Sequence, residues 1–172
     1  PVAPRAEGYH APVYLDALSF LEDERDAWRP YEALAALSDE QLSRPVEAAH
    51  GWSGRDLMVH LLIWVEVALA AAKELAVGET SPTFERIDAD WEARGEEAVN
   101  ADFHAQWADV PLDDVRARFA ALPGELRGYL TVVPETRWVK HPTHLEEFIG
   151  ETIEHYDDHK PDLEAILAAA GR

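Results

Sequence analysis

His155 and His159 stand one helical turn apart in the segment EHYDDHKPDL, and His60 lies far upstream in the apolar stretch GWSGRDLMVHLLIWVE. Residues four apart on an α-helix are separated by about 6 Å along its axis, so both imidazoles can turn a ring nitrogen toward one point. A third imidazole from a facing helix would complete three nitrogen donors around one divalent cation, leaving a coordination position for water or substrate. A chain with 8 histidines produces such a pair by chance fairly often, so the setting has to supply the weight. His60 interrupts an otherwise apolar helix, where an imidazole without a partner is costly to bury. Alone, it is equally well explained as a core histidine bonded to a carboxylate or carbonyl. The three together favour a metal.

The chain has no cysteine, so any metal must be held by nitrogen and oxygen, and any thiol chemistry needs a cosubstrate. Imidazole donors suit zinc or nickel first, with manganese or iron(II) also compatible. Glu151, one turn before His155, is a fourth ligand, an acceptor that orients a ligand ring, or a solvated side chain. Asp56, one turn before His60, is assigned to a helix cap. His10, His50, His104, His141 and His144 are expected to lie away from the site. The tryptophans read as core, although Trp64 is placed to wall a pocket beside His60. No residue is singled out as directly catalytic.

Helical spacing dominates the elements that must position these side chains, and strand signals are scarce. A first helix is expected after Pro12, with Tyr14, Leu18, Leu21, Arg25 and Trp28 on one face and an interruption at Pro30. Ser38–Leu42 reads as a short capped turn. A second helix should open at Ser53 with a Ser53/Asp56 capping box, bury Leu57, Leu61, Trp64, Ala68, Ala72 and Leu75, and stop at Gly78. Residues 79–110 suggest one broken helix or two short ones, lying over an end of the bundle. A third helix spans about 112–130, with Val115, Phe119, Leu122, Leu126 and Tyr129 inward and a bend at Pro123-Gly124. A Thr143/Glu146 capping box opens the last helix, which turns Leu145, Ile149, Thr152 and Tyr156 inward and bends near Pro161. The expected fold is all-α, one domain over residues 1–172: an antiparallel four-helix bundle with an extra short helical segment between the second and third main helices.

With 15 basic against 34 acidic residues the net charge is -19, spread along the chain. No concentrated basic face exists to bind phosphates, which argues against nucleic acid as a partner. The N-terminal residues do not read as a secretory signal, and Glu66, Lys73 and Glu74 break the longest apolar run. A cytoplasmic protein without a membrane span is expected, acting on a small molecule. A homodimer through its bundle helices is compatible with the sequence, which does not decide it.

Three segments in order, LSDEQLSRPV, HGWSGRDLMVHLLIW and ETIEHYDDHKPDL, resemble the DinB/YfiT-like superfamily of metal-binding four-helix bundles. The resemblance covers most of the chain and implies a three-histidine metal site at His60, His155 and His159. A related branch, which includes mycothiol-dependent maleylpyruvate isomerases, uses histidine, glutamate and histidine, which would fall on His60, Glu151 and His155. Colibactin self-protection proteins are similar in layout. The resemblance implies a metal-dependent enzyme that activates a low-molecular-weight thiol, or water, for transfer to or hydrolysis of a small electrophile, in detoxification or stress response. The alternative is a non-catalytic stress protein that binds a metal or small molecule.

Overall fold

The computed structural model describes residues 14–172, so the expected helix start after Pro12 and the placement of His10 lie outside the described residues. Every regular element within that range is helical. Helix α1 (Ala17–Trp28) is capped by Asp16, and Pro30 diverts the chain into a 3-10 segment, Arg29–Ala36. The inward face of α1 differs from the expected one. Phe20, Leu21, Glu24 and Trp28 are buried, whereas Leu18 is 62% exposed. Helix α2 (Asp39–Ser43) carries a full Ser38/Gln41 capping box.

Helix α3 (Gly54–Val77) opens on the expected Ser53/Asp56 capping box and ends at Gly78. It is apolar on nearly every side because it is the most enclosed helix, with Leu57, Leu61, Trp64, Ala68, Ala72 and Leu75 all buried. Two short helices follow, α4 (Pro82–Arg94) and α5 (Glu96–Trp107), separated at Gly95, whose φ of 81° favours glycine. Helix α6 (Leu112–Leu130) continues through Pro123. The last rod is composite: α7 (Pro142–Ile149), a π-helical turn Gly150–Glu154, and α8 (His155–Asp158), after which α9 (Lys160–Ala169) restarts with Pro161 in its first turn. The cap of α7 comes from His141, which accepts from the His144 amide, and not from Thr143 as expected. Pro142 at the first helical position places the cap at His141, two residues upstream of Thr143.

Cross-contacts give the helix directions. Trp28 meets Phe119 and Glu24 meets Arg127, so α1 and α6 run antiparallel. Arg137 reaches the Leu75 carbonyl at one end and His60 meets His155 at the other, so α3 and the last rod are also antiparallel. Phe20 against Trp138 and Trp28 against Tyr156 make α1 parallel to that rod. Arg55 bonds the Val110 carbonyl and Arg118 bonds Glu66, so α3 and α6 are parallel as well. The excursion through α4 and α5 permits this last pairing, because it carries the chain back along α3 before α6 begins.

That excursion does not lie over an end of the bundle. Glu74 accepts from Ser81 and Thr83, Trp64 packs on Trp91 and Phe103, and Arg55 bonds the Trp107 carbonyl. Helices α4 and α5 therefore run down the flank of α3, beside His60. Among the described residues, no helix is long and apolar enough to cross a membrane.

Candidate metal centre

His60 sits in the second turn of α3, with its position fixed by the capping box one turn earlier. His155 opens α8 directly after the π turn, and His159 is the junction before α9. π-helical turns inside helices occur often at functional sites, because the added residue rotates the next turn of helix. The result is a triangle of rings: centroids are 4.8 Å apart for His60–His155, 4.7 Å for His60–His159 and 4.8 Å for His155–His159. One ring nitrogen from each lies within 4.8 Å of the other two.

The outer contacts determine which nitrogens face inward. His159 donates Nδ1–H to Asp162 Oδ2 at 2.9 Å, which leaves its Nε2 with a lone pair. His60 Nδ1 meets His104 Nε2 at 3.1 Å, a contact that requires one proton between the rings. With that proton on His60 Nδ1, its Nε2 is likewise free to accept a cation. His155 Nε2 is buried and has no hydrogen-bond partner. An orphaned buried nitrogen flanked by two oriented imidazoles is a donor set that suits a divalent ion, and the absence of cysteine keeps it an all-nitrogen set.

Burial keeps His60 and His155 neutral. Burial pushes His60 down to about 3, reinforced by His159 and His104 beside it. His155 is pushed well below the ordinary histidine value by burial, then by His60 and His159. His104 is lowered by burial, with Asp56 pulling the other way. Neutral imidazoles are the form that ligates.

A cavity of about 410 Å³ opens on the triangle. Trp52 stacks on His159 at 5.5 Å and 24°, and lies 4.9 Å from His60. It is presented by a turn in which Gly51 has φ 84°, a conformation L-residues rarely adopt. Trp64 stands 6.1 Å from His155, and Trp91 lines the wall beyond it. Glu151 lines the same cavity and is 8% exposed; burial lifts its carboxyl to about 8, with Glu147 and Asp88 adding to the rise.

The structure therefore brings His60, His155 and His159 together. Glu151 borders the chamber but does not belong to the three-residue cluster. The orienting contacts come from Asp162 and His104, which sequence reasoning missed. His104 was expected to lie apart; instead it touches His60, because α5 lies along α3. His50 approaches Asp162 Oδ1 at 3.8 Å, behind His159. His141 and His144 stack on each other, with His144 bonded to the Arg137 carbonyl.

The family model described as "Mycothiol maleylpyruvate isomerase N-terminal domain" matches residues 21–147. The matched stretch contains His60 and His104 and ends before His155 and His159. Comparison with curated proteins and with solved structures gives no match. A family match over most of the chain, on an all-helical bundle with this histidine triangle, agrees with the resemblance seen in the sequence: the chain belongs to the mycothiol maleylpyruvate isomerase N-terminal domain family, within the DinB/YfiT-like superfamily.

Proposed function

We propose that His60, His155 and His159 hold a divalent metal ion, zinc or nickel ahead of manganese or iron(II), in an enzyme that activates a low-molecular-weight thiol or water against a small electrophile. The observation that carries this reading is a buried, partnerless His155 Nε2 facing two imidazoles whose far nitrogens are already engaged. Such an ion, when bound, supplies Lewis acidity and lowers the pKa of a water or thiol enough to give a nucleophile near neutral pH.

The chain's own residues account for the rest of the arrangement. Asp162 fixes the ring of His159, and His104 fixes that of His60. Trp52 and Trp64 wall off the triangle and exclude bulk water from its rim. Glu151, buried and held protonated near neutrality, is positioned to exchange a proton with a ligand in the chamber. A thiol nucleophile must arrive as a cosubstrate, since the chain has no cysteine.

The test is elemental analysis of tag-free protein beside His60→Ala and His155→Ala. Near-stoichiometric metal that both substitutions abolish is the expected result. Protein that takes up neither zinc, nickel nor manganese removes the reading. Bound metal without metal-dependent turnover over a panel of thiols and electrophiles would point instead to a binding protein.

A further inference from the structure

The chamber above the histidines has a composition that the three imidazoles do not explain. Its lining combines three indoles, from Trp52, Trp64 and Trp91, with four carboxyl groups, from Glu96, Glu151, Glu154 and Asp158. Among the described residues no lysine or arginine lines it. The nearest arginine in sequence, Arg94, is held between Asp90 and Asp102. Two further polar atoms of lining residues lack partners: the Nε1 of Trp64, a side chain only 3% exposed, and the Oδ1 of Asn100.

We infer that this chamber takes an organic cation, a small ligand with an alkylated ammonium head seated against the indoles and the carboxylates. The inference rests on reading the cavity as the ligand chamber of the proposed centre. Aromatic faces attract an ammonium through the ring quadrupole, and the contact strengthens when the head is desolvated, as it would be against the indole wall of the chamber. An alkylated head sheds water cheaply and needs no hydrogen bond at every point, which suits walls made mostly of indole. Carboxylates around it supply the counter-charge a buried cation needs.

The indoles also border the histidines. Trp64 and Trp91 pack edge to face at 5.7 Å, Trp64 stands 6.1 Å from His155, and Trp91 and Glu96 line the same chamber. A divalent ion on the imidazoles still leaves the carboxylates of Glu96, Glu154 and Asp158 to face the ligand. An anionic ligand of the same size would meet those carboxylates with no basic side chain to receive it. The remaining unmatched groups, a Trp64 N–H donor and an Asn100 acceptor, suit a hydroxyl or amide on the ligand's neutral portion.

The experiment is titration of the full chain, zinc-loaded and chelator-treated, with three probes of one shape: choline, its uncharged carbon isostere neohexanol, and the anion tert-butylacetate. Calorimetry or tryptophan fluorescence reads the affinities, and elemental analysis of the same samples reads the metal. Choline is expected to bind about tenfold tighter than neohexanol, with tert-butylacetate weakest. Glu96→Gln, a change of one atom at an exposed rim residue, should weaken choline about threefold and leave neohexanol unchanged. Trp91→Leu should erase most of the preference for the charged head. In the chelator-treated protein, neohexanol binding as well as choline, the anion binding best, or choline failing to bind at millimolar concentration would each overturn the inference. Protein that takes up no zinc when offered it, yet keeps the preference for choline, would remove the metal reading alone. Samples that hold zinc without that preference would remove the cation chamber alone.

Discussion

His155 and Tyr156 are neighbours on the same rod, yet they face different neighbours and enter two different kinds of buried polar cluster. On the Tyr156 side every group is matched. The Glu24 carboxylate, fully buried, receives Arg127 at 2.7 Å and the Tyr156 hydroxyl at 3.1 Å, and the Tyr31 hydroxyl donates to the Tyr156 carbonyl. On the His155 side, three imidazoles, of which His60 and His155 are depressed by burial, border an open chamber, and polar atoms of Trp64, Asn100 and His155 stay without partners. A satisfied network ties α1, α6 and the last rod together. An unsatisfied one, beside it, carries a standing cost that a ligand can relieve.

The comparison breaks most visibly when one partner is removed from each side. Arg127→Ala leaves the Glu24 carboxylate buried without its counter-charge. Losses of about 3–5 kcal/mol are usual for such a break, and the partial exposure of Arg127 brings the expectation to about 2–4 kcal/mol. His155→Leu removes an orphaned nitrogen and keeps an apolar body, so metal-free protein should change by less than about 1 kcal/mol, or gain stability. Urea unfolding in the presence of a chelator measures both. Equal losses for the two variants would erase the distinction between the clusters.

Adding metal should reverse the ranking. A ligand that binds only the folded state stabilises it by about 2.7 kcal/mol at a free concentration one hundred times its dissociation constant. Zinc should therefore raise the melting temperature of the wild type and of Arg127→Ala alike, and leave His155→Leu unmoved. A zinc-induced rise that survives in His155→Leu would place the ion elsewhere.

Much of this contrast was legible in the sequence, and the gaps have physical causes. The limits of α3 and α6 were readable because capping signals and Gly78 mark them, and the buried face of α3 follows its apolar repeat. The meeting of His60 with His155 and His159 followed from one-turn spacing plus an apolar setting. Tyr129 was expected inward and is 39% exposed; Leu122, Leu126 and Leu130 hold the four-residue register instead. His104 was illegible because the apolar pattern of α5 is weak, so no periodicity announces which face meets α3. Asp162 had a signal that went unused: it stands three residues after His159, in the first turn of the next helix. Glu151, read from its place in the sequence as a fourth ligand, an orienting acceptor or a solvated side chain, lines the chamber, while Asp162 and His104 bond the outer nitrogens of His159 and His60.

Those two missed residues sharpen the comparison from the site's side. Asp162→Asn should weaken zinc binding about 10–100-fold, because the amide cannot hold His159 in its tautomer as a carboxylate does. His104→Phe removes the acceptor for His60 Nδ1–H while keeping a ring, and should cost about tenfold. Chelator-competition titrations give the affinities, and cobalt-substituted spectra report whether the ligand field changes. Neither variant should lower metal-free stability by more than about 1 kcal/mol, since His104 is only partly buried and Asp162, though buried, keeps its shape and a hydrogen-bonding oxygen as asparagine. Unchanged affinity in both variants would reduce Asp162 and His104 to packing contacts.

The finest test uses pH, on metal-free protein. Glu151 titrates near 8 in the folded chain against an ordinary value of 4.5. Between those values the folded state holds a proton that the unfolded chain has lost, so this carboxyl lowers stability as pH rises. His60 acts in the opposite sense, near 3 against an ordinary 6.5, and His155 is depressed in the same direction. Below 6.5 the unfolded chain carries their extra protons, so their contribution climbs as pH rises and is complete above that value. The two effects oppose each other from pH 4.5 to 6.5, and only Glu151 acts from 6.5 to 8. Across that upper window it should cost about 1–2 kcal/mol, a loss that Glu151→Gln removes. The difference between wild type and variant isolates the site, because every other titrating group is common to both. A difference that stays flat from 6.5 to 8 would mean that Glu151 is already ionised in the chamber, and the proton exchange assigned to it would go with that result.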